Sequence, residues 1–183
     1  IMQLISHRIN KIHQLKKLDK NYGVEIDIRD NGKDLIVVHD PFKKGTKLDE
    51  YLKHYNHKII IANIKSERIE DEVLKKFRKF KIKNFFFLDS SFPKIIELVK
   101  KNISNIAIRV SYYEDLSIAQ KLKNKVKWVW YDTFLGLPKN DKEFRYLKKL
   151  NYKICLVCPN LHGIKVKTKS SNFIKLKKSN LID

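Results

Sequence analysis

The chain has 183 residues, 43% of them hydrophobic, and carries 40 Lys+Arg against 20 Asp+Glu, a formal charge of +20. That length suits one domain, residues 1–183, with a substantial core, and the composition excludes a disordered chain. No apolar run approaches the ~20 residues of a membrane span, and Ile1-Met2-Gln3-Leu4-Ile5 is too short for a signal peptide, so a cytoplasmic location is expected.

Short apolar runs alternate with amphipathic stretches. The first strand is predicted over residues 3–6, ending at Ser6-His7-Arg8. A helix over 11–21 follows, with Gly23 placed as its C-terminal stop. The second strand, 24–28, carries Glu25 and Asp27 two residues apart, so their carboxylates share one face while Val24, Ile26 and Ile28 line the other. Asn31-Gly32 between two apolar runs predicts a hairpin, which brings Val38-His39-Asp40-Pro41 back over the carboxylates.

Further strands are predicted at 58–64, 84–88, 106–110, 126–131 and 153–157. Between them, Ile69, Val73, Phe77 and Phe80 mark one face of a helix over 67–80, and Pro93 opens a helix over 94–101. Asn140 with Glu143 has the spacing of a capping box before Phe144, and 171–181 is helix-like. Cys155 and Cys158 fall in the strand-like segment, where their thiols would face opposite sides and pack rather than do redox or zinc chemistry.

Strand–helix repetition with near-continuous apolar strands indicates an α/β protein with a parallel sheet. We expect a TIM-type (β/α) barrel with about seven units visible and its eighth strand beyond Asp183. A seven-stranded or open doubly wound sheet is the alternative.

Two histidines, His7 and His39, flanking the Glu25/Asp27 pair supply what metal-assisted attack on a phosphodiester needs. The carboxylates bind a hard divalent cation, Mg²⁺ or Ca²⁺, which neutralises phosphate oxygens, and the histidines move protons. Asp89, Trp130, Asp132 and His162 end later apolar runs, where they could line a pocket for the substrate's alcohol. His13, His54 and His57 lie in lysine-rich segments and are given no role.

His7-Arg8, Glu25-x-Asp27, His39-Asp40-Pro41 and Asn63-x-Lys65 together resemble the glycerophosphodiester phosphodiesterase family, within the barrel superfamily of phosphatidylinositol-specific phospholipase C. The resemblance runs from Gln3 to Ser66 and then becomes a loose strand–helix rhythm. It implies hydrolysis of a small-molecule phosphodiester by His7 and His39, with the metal held by Glu25, Asp27 and Asn63. Asn63 stands where the family has glutamate, so it is either an uncharged ligand or a buried hydrogen-bonding amide. Ile9 replaces the glycine of His-Arg-Gly and cannot freely take positive φ. Arg8 either grips a phosphate oxygen or pairs with a carboxylate, and Lys65 either steadies phosphate charge or is solvated.

The excess of lysine leaves a second reading, a non-catalytic basic barrel holding nucleic acid or another polyanion, against lysines merely solvating helix faces. The densest basic stretch is 165–178.

Overall fold

A computed structural model describes residues 2–165, 174, 176 and 179–183. The chain divides into two compact units, Gln3–Glu97 and Leu98–Asp183, the latter with Met2.

The first unit runs β1 (Ile5–Ser6), α1 (Ile12–Lys17), β2 (Gly23–Asp30), β3 (Leu35–Val37), β4 (Thr46–Lys47), α2 (Leu48–Leu52), β5 (Ile60–Ile64), α3 (Glu70–Lys79) and β6 (Phe85–Leu88). Its sheet has the order β4-β3-β2-β5-β6, with β1 also on β2. Strands β1, β2, β5 and β6 are parallel, whereas β2, β3 and β4 form an antiparallel meander. The predicted hairpin is present, with Ile28 opposite Val37 and Asp30 opposite Leu35. Alternation along β2 turns Glu25 and Asp27 to the face opposite Val24, Ile26 and Ile28. Both faces are buried, so the two carboxylates are as enclosed as the aliphatic residues.

Gly23 is not a helix stop. Helix α1 ends at Lys17, and Gly23 opens β2 in register with Ile5 of β1 and close against Ile59. A Cβ there would lie 2.5 Å from Ile59 Cγ2 and 3.2 Å from its carbonyl oxygen, so only a bare Cα allows that approach. In α3, Ile69, Val73 and Phe77 are buried as the periodicity predicts. Helix α4 (Phe92–Lys100) crosses the division between the units.

The second unit continues with β7 (Ala107–Val110), α5 (Ser117–Lys121), β8 (Trp128–Tyr131), α6 (Lys142–Lys149), β9 (Lys153–Leu156) and a 3-10 turn, Pro159–His162. Its parallel sheet has the order β7-β8-β9. The capping box before α6 is not made, because the N-cap position falls on Asp141, whose side chain makes no cap hydrogen bond. Asn140 Oδ1 accepts from the Lys142 N–H at 3.1 Å, but the Glu143 carboxylate accepts from the Tyr131 hydroxyl instead of the helix end. Tyr131 also packs on Phe144 with ring centroids 4.6 Å apart, so a tertiary contact outcompetes the local cap. Cys155 is half-buried and Cys158 is exposed beyond the end of β9, both as free thiols. The expectation that both pack inside fails for Cys158, because the strand stops at Leu156.

The closed barrel is also not found. The strand ladders form two separate sheets, and among the described residues neither closes on itself. Closure requires every strand to be paired on both edges. Among the described residues, β4, β6, β7 and β9 each have a ladder on one edge alone, whereas β5 takes one edge of β2 from Val24 to Ile28. The other edge is shared between the two-residue β1 and the hairpin strand β3. The predicted helix over 171–181 and the basic stretch 165–178 lie largely outside the described residues. No described helix is long and apolar enough to cross a membrane.

Candidate active site

The shared edge of β2 assembles the site. Ile9 N–H donates to the Glu25 carbonyl at 2.9 Å, and Val38 N–H donates to the Asp27 carbonyl at 2.9 Å. Carbonyls two residues apart on a strand point to the same edge. The His7-Arg8 turn and His39 are thereby hung side by side along the strand that carries both carboxylates. From the opposite edge, β5 brings Asn63 into register with Asp27. Lys65 follows at the end of β5, its N–H bonded to the Ile28 carbonyl at 2.9 Å.

Glu25 is 1% exposed and Asp27 fully buried. Glu25 Oε2 accepts from the Arg8 N–H at 2.7 Å, and Oε1 accepts from Asn63 Nδ2 at 2.8 Å. Burial, and next the negative charge of Asp27, push the Glu25 carboxyl up to about 7. Asp27 Oδ2 accepts from Asn10 Nδ2 at 2.7 Å, while Asn10 Oδ1 takes the Asp27 N–H at 2.9 Å. Two buried oxygens remain without a hydrogen bond, Asp27 Oδ1 and Asn63 Oδ1. The cation facing Asp27 Oδ1 is Lys65 Nζ, at 3.9 Å.

Those two oxygens decide whether the residues suit a metal. Buried acceptors left unpaired cost about 1–3 kcal/mol each, and coordination by a hard cation relieves that cost. The donor set of two carboxylates and an amide oxygen is all oxygen and fits Mg²⁺ or Ca²⁺. It is a lean set, since among the described residues no three His, Cys, Asp or Glu side chains converge to hold an ion.

His39 is held by a relay. Arg8 Nη2 lies 2.8 Å from its Nε2, and Asp40 Oδ1 lies 2.7 Å from its Nδ1. Guanidinium only donates, so Nε2 is the acceptor and the ring proton sits on Nδ1, facing Asp40. His7 Nε2 stands 3.8 Å from Glu25 Oε2. Burial, followed by the Arg8 charge, lowers the His7 pKa from 6.5, which keeps the ring neutral near pH 7.

Arg8 itself adopts φ 53°, a left-handed conformation that costs a non-glycine residue about 1–2 kcal/mol. The positive φ thus falls one residue before Ile9, which lies outside that region. Arg8 N–H on Glu25 and the Tyr51 hydroxyl on the Ile9 carbonyl, at 2.6 Å, hold the turn. Arg8 meets Glu25 through its backbone and His39 through its side chain, so the alternative of a carboxylate ion pair is not realised.

Of the pocket candidates, Asp89 joins this cluster. It follows β6 at φ 58° and accepts from Lys65 Nζ at 3.0 Å. Trp130 and Asp132 belong to the second unit, where they engage each other. Trp130 Nε1 donates to Asp132 Oδ2 at 3.2 Å, Arg109 binds the same oxygen, and His162 Nε2 meets Oδ1.

The sequence reading missed two residues. Asn10 clamps Asp27, and nothing in its neighbourhood announces that. Arg29 donates from Nε to the His39 carbonyl at 2.8 Å and from Nη1 to the Lys65 carbonyl at 2.7 Å, fixing both loops. Its place four residues after Glu25 on the same strand face was a readable signal.

No protein-family model matches the sequence, and no curated protein does. Among solved structures, the fold is similar to a crystal structure of glycerophosphodiester phosphodiesterase from Agrobacterium tumefaciens str. C58, with a TM-score of 0.64 at 13% identity, covering 85% of this chain and 86% of that one. At that identity the likeness is one of fold. It meets, at that level, the resemblance drawn from the N-terminal motifs.

Proposed function

We propose that the protein is a metal-dependent phosphodiesterase acting on a small glycerophosphodiester-type substrate. The carrying observation is the convergence of His7, Arg8, Glu25, Asp27, His39, Asn63 and Lys65 along β2 and β5, with two buried oxygens there lacking hydrogen bonds. The fold likeness to a phosphodiesterase supports the same reading, and with it a TIM-type barrel as the finer description of the fold.

Glu25, Asp27 and Asn63 would hold Mg²⁺ or Ca²⁺, which when bound neutralises charge on the phosphate. His7, kept neutral by burial and by Arg8, takes the proton from a substrate hydroxyl adjacent to the diester as that oxygen attacks phosphorus. Once Arg8 has left Nε2 and that nitrogen has taken a solvent proton, His39, steadied by Asp40 on Nδ1, gives the Nε2 proton to the departing alkoxide. Arg8 leaves His39 Nε2 to grip a phosphate oxygen, and Lys65 adds positive charge beside it. Water then opens the cyclic phosphate with the two histidines in exchanged roles, yielding an alcohol and a phosphomonoester.

Purified protein supplied with Mg²⁺ or Ca²⁺ is expected to release alcohol from a glycerophosphodiester, and EDTA to stop it. Turnover undiminished by EDTA removes the metal from the mechanism, and no turnover with any diester removes the function. Asn10→Ala, which frees Asp27 Oδ2, is expected to weaken cation binding about 10–100-fold by calorimetry. Unchanged affinity would detach Asn10 from the metal.

A further inference from the structure

Beside His39 the first unit has a cavity of about 630 Å³, floored by the end of β3 and roofed by the start of α1. Val37, Val38 and Ile12 supply its apolar wall. Gly45 closes the floor, because a Cβ there would come within 2.8 Å of the Val37 carbonyl oxygen. Lys11, His13 and Lys44 also line the cavity, all exposed and none with an acidic partner among the described residues.

A lysine-rich chain puts lysines near most surfaces, so the signs at a second cavity in the same unit are the useful control. That cavity, about 510 Å³, is lined by Asp30, Asp34, Asp49 and Glu72 as well as by Lys33, Lys47, Arg68 and Lys76. Its charges balance, with Lys47 on Asp34 and Lys76 on Asp49, each at 2.8 Å. No carboxylate lines the cavity beside His39. The acid next to it, Asp40, is bound to His39 Nδ1. Screening over about 8 Å at physiological salt makes such local sign, rather than net charge, decide what is held.

We infer that this cavity receives the leaving alcohol of the diester and selects an alcohol carrying its own anionic group, a phosphomonoester, held by Lys11 and Lys44. The inference rests on the phosphodiesterase reading and deepens it: His39 is one of the residues lining the cavity, so the oxygen it protonates departs into it. The apolar wall takes the carbon skeleton, and the two ammonium groups take the charge.

The test compares kcat/KM for three diesters that all keep the glycerol hydroxyl beside phosphorus: glycerophosphoinositol 4-phosphate, with an anionic alcohol; glycerophosphocholine, with a cationic one; and glycerophosphoglycerol, with an uncharged one. Wild type is expected to prefer the first over the second by about tenfold or more at low salt, the margin shrinking as salt is added. Lys11→Glu/Lys44→Glu, both exposed changes, should erase or invert that preference while leaving the uncharged diester within about twofold. Equal rates on the charged pair, or a ratio unmoved by the double substitution, would overturn the selectivity while leaving phosphodiester hydrolysis standing. Failure on all three diesters would remove the hydrolase reading, and this inference with it.

Discussion

Replacing His39 with alanine is expected to lower kcat on a glycerophosphodiester by about 10²–10⁴-fold, the usual worth of a positioned acid–base group. KM should move little. The imidazole is half-exposed and, among the described residues, hydrogen-bonded to Arg8 and Asp40 alone, so its loss leaves the core intact. The Val38 N–H bond to Asp27, which fixes this loop, does not involve the side chain. Asp40→Ala should give a smaller fall in kcat, because it removes the orienting carboxylate and not the proton donor. Stopped assays on folded protein, checked by circular dichroism, measure both. A His39→Ala enzyme within twofold of wild type would take His39 out of the chemistry.

The second large effect is on stability and has a definite sign. Burial and Asp27 raise the Glu25 carboxyl from 4.5 to about 7 in the folded chain. Between those two values the folded protein binds more protons than the unfolded one, so stability falls as pH rises through the window. Below about 4.5 the contribution is fully present, and above about 7 it is lost, a difference on the order of 3 kcal/mol. Urea unfolding in EDTA at pH 5 and pH 8 should therefore show a larger drop for wild type than for Glu25→Gln. A divalent cation at pH 8 should restore wild type, since ionised Glu25 and the oxygens of Asp27 and Asn63 that lack hydrogen bonds then have a counter-charge. Identical pH dependence in the two proteins would show that Glu25 is not a strained carboxyl.

The residues that were legible in the sequence owe it to simple geometry. Strand alternation put Glu25 and Asp27 on one face, and Asn31-Gly32 announced the hairpin that returns His39. Asn63 emerged from motif spacing and meets Asp27 in register. What stayed hidden depends on contacts distant in sequence. Asn10 reaches Asp27 across 17 positions, and β4 and α2 are too short to leave a periodic trace. Closure of a sheet is likewise a matter of which edges remain free, and among the described residues β4, β6, β7 and β9 each have a ladder on one edge alone. Trp130 and Asp132 show the limit of reasoning from position alone. Lying at the end of β8 made them pocket candidates, yet they spend their polar atoms on one another, Arg109 and His162.

One cation gathered by acidic and amide oxygens from neighbouring strands is the core of this account. Diffraction from crystals soaked in Mn²⁺, read by its anomalous signal, tests it most directly. A single strong peak within coordination distance of Glu25, Asp27 and Asn63 is the predicted result. A peak elsewhere, or none at millimolar Mn²⁺, would contradict it.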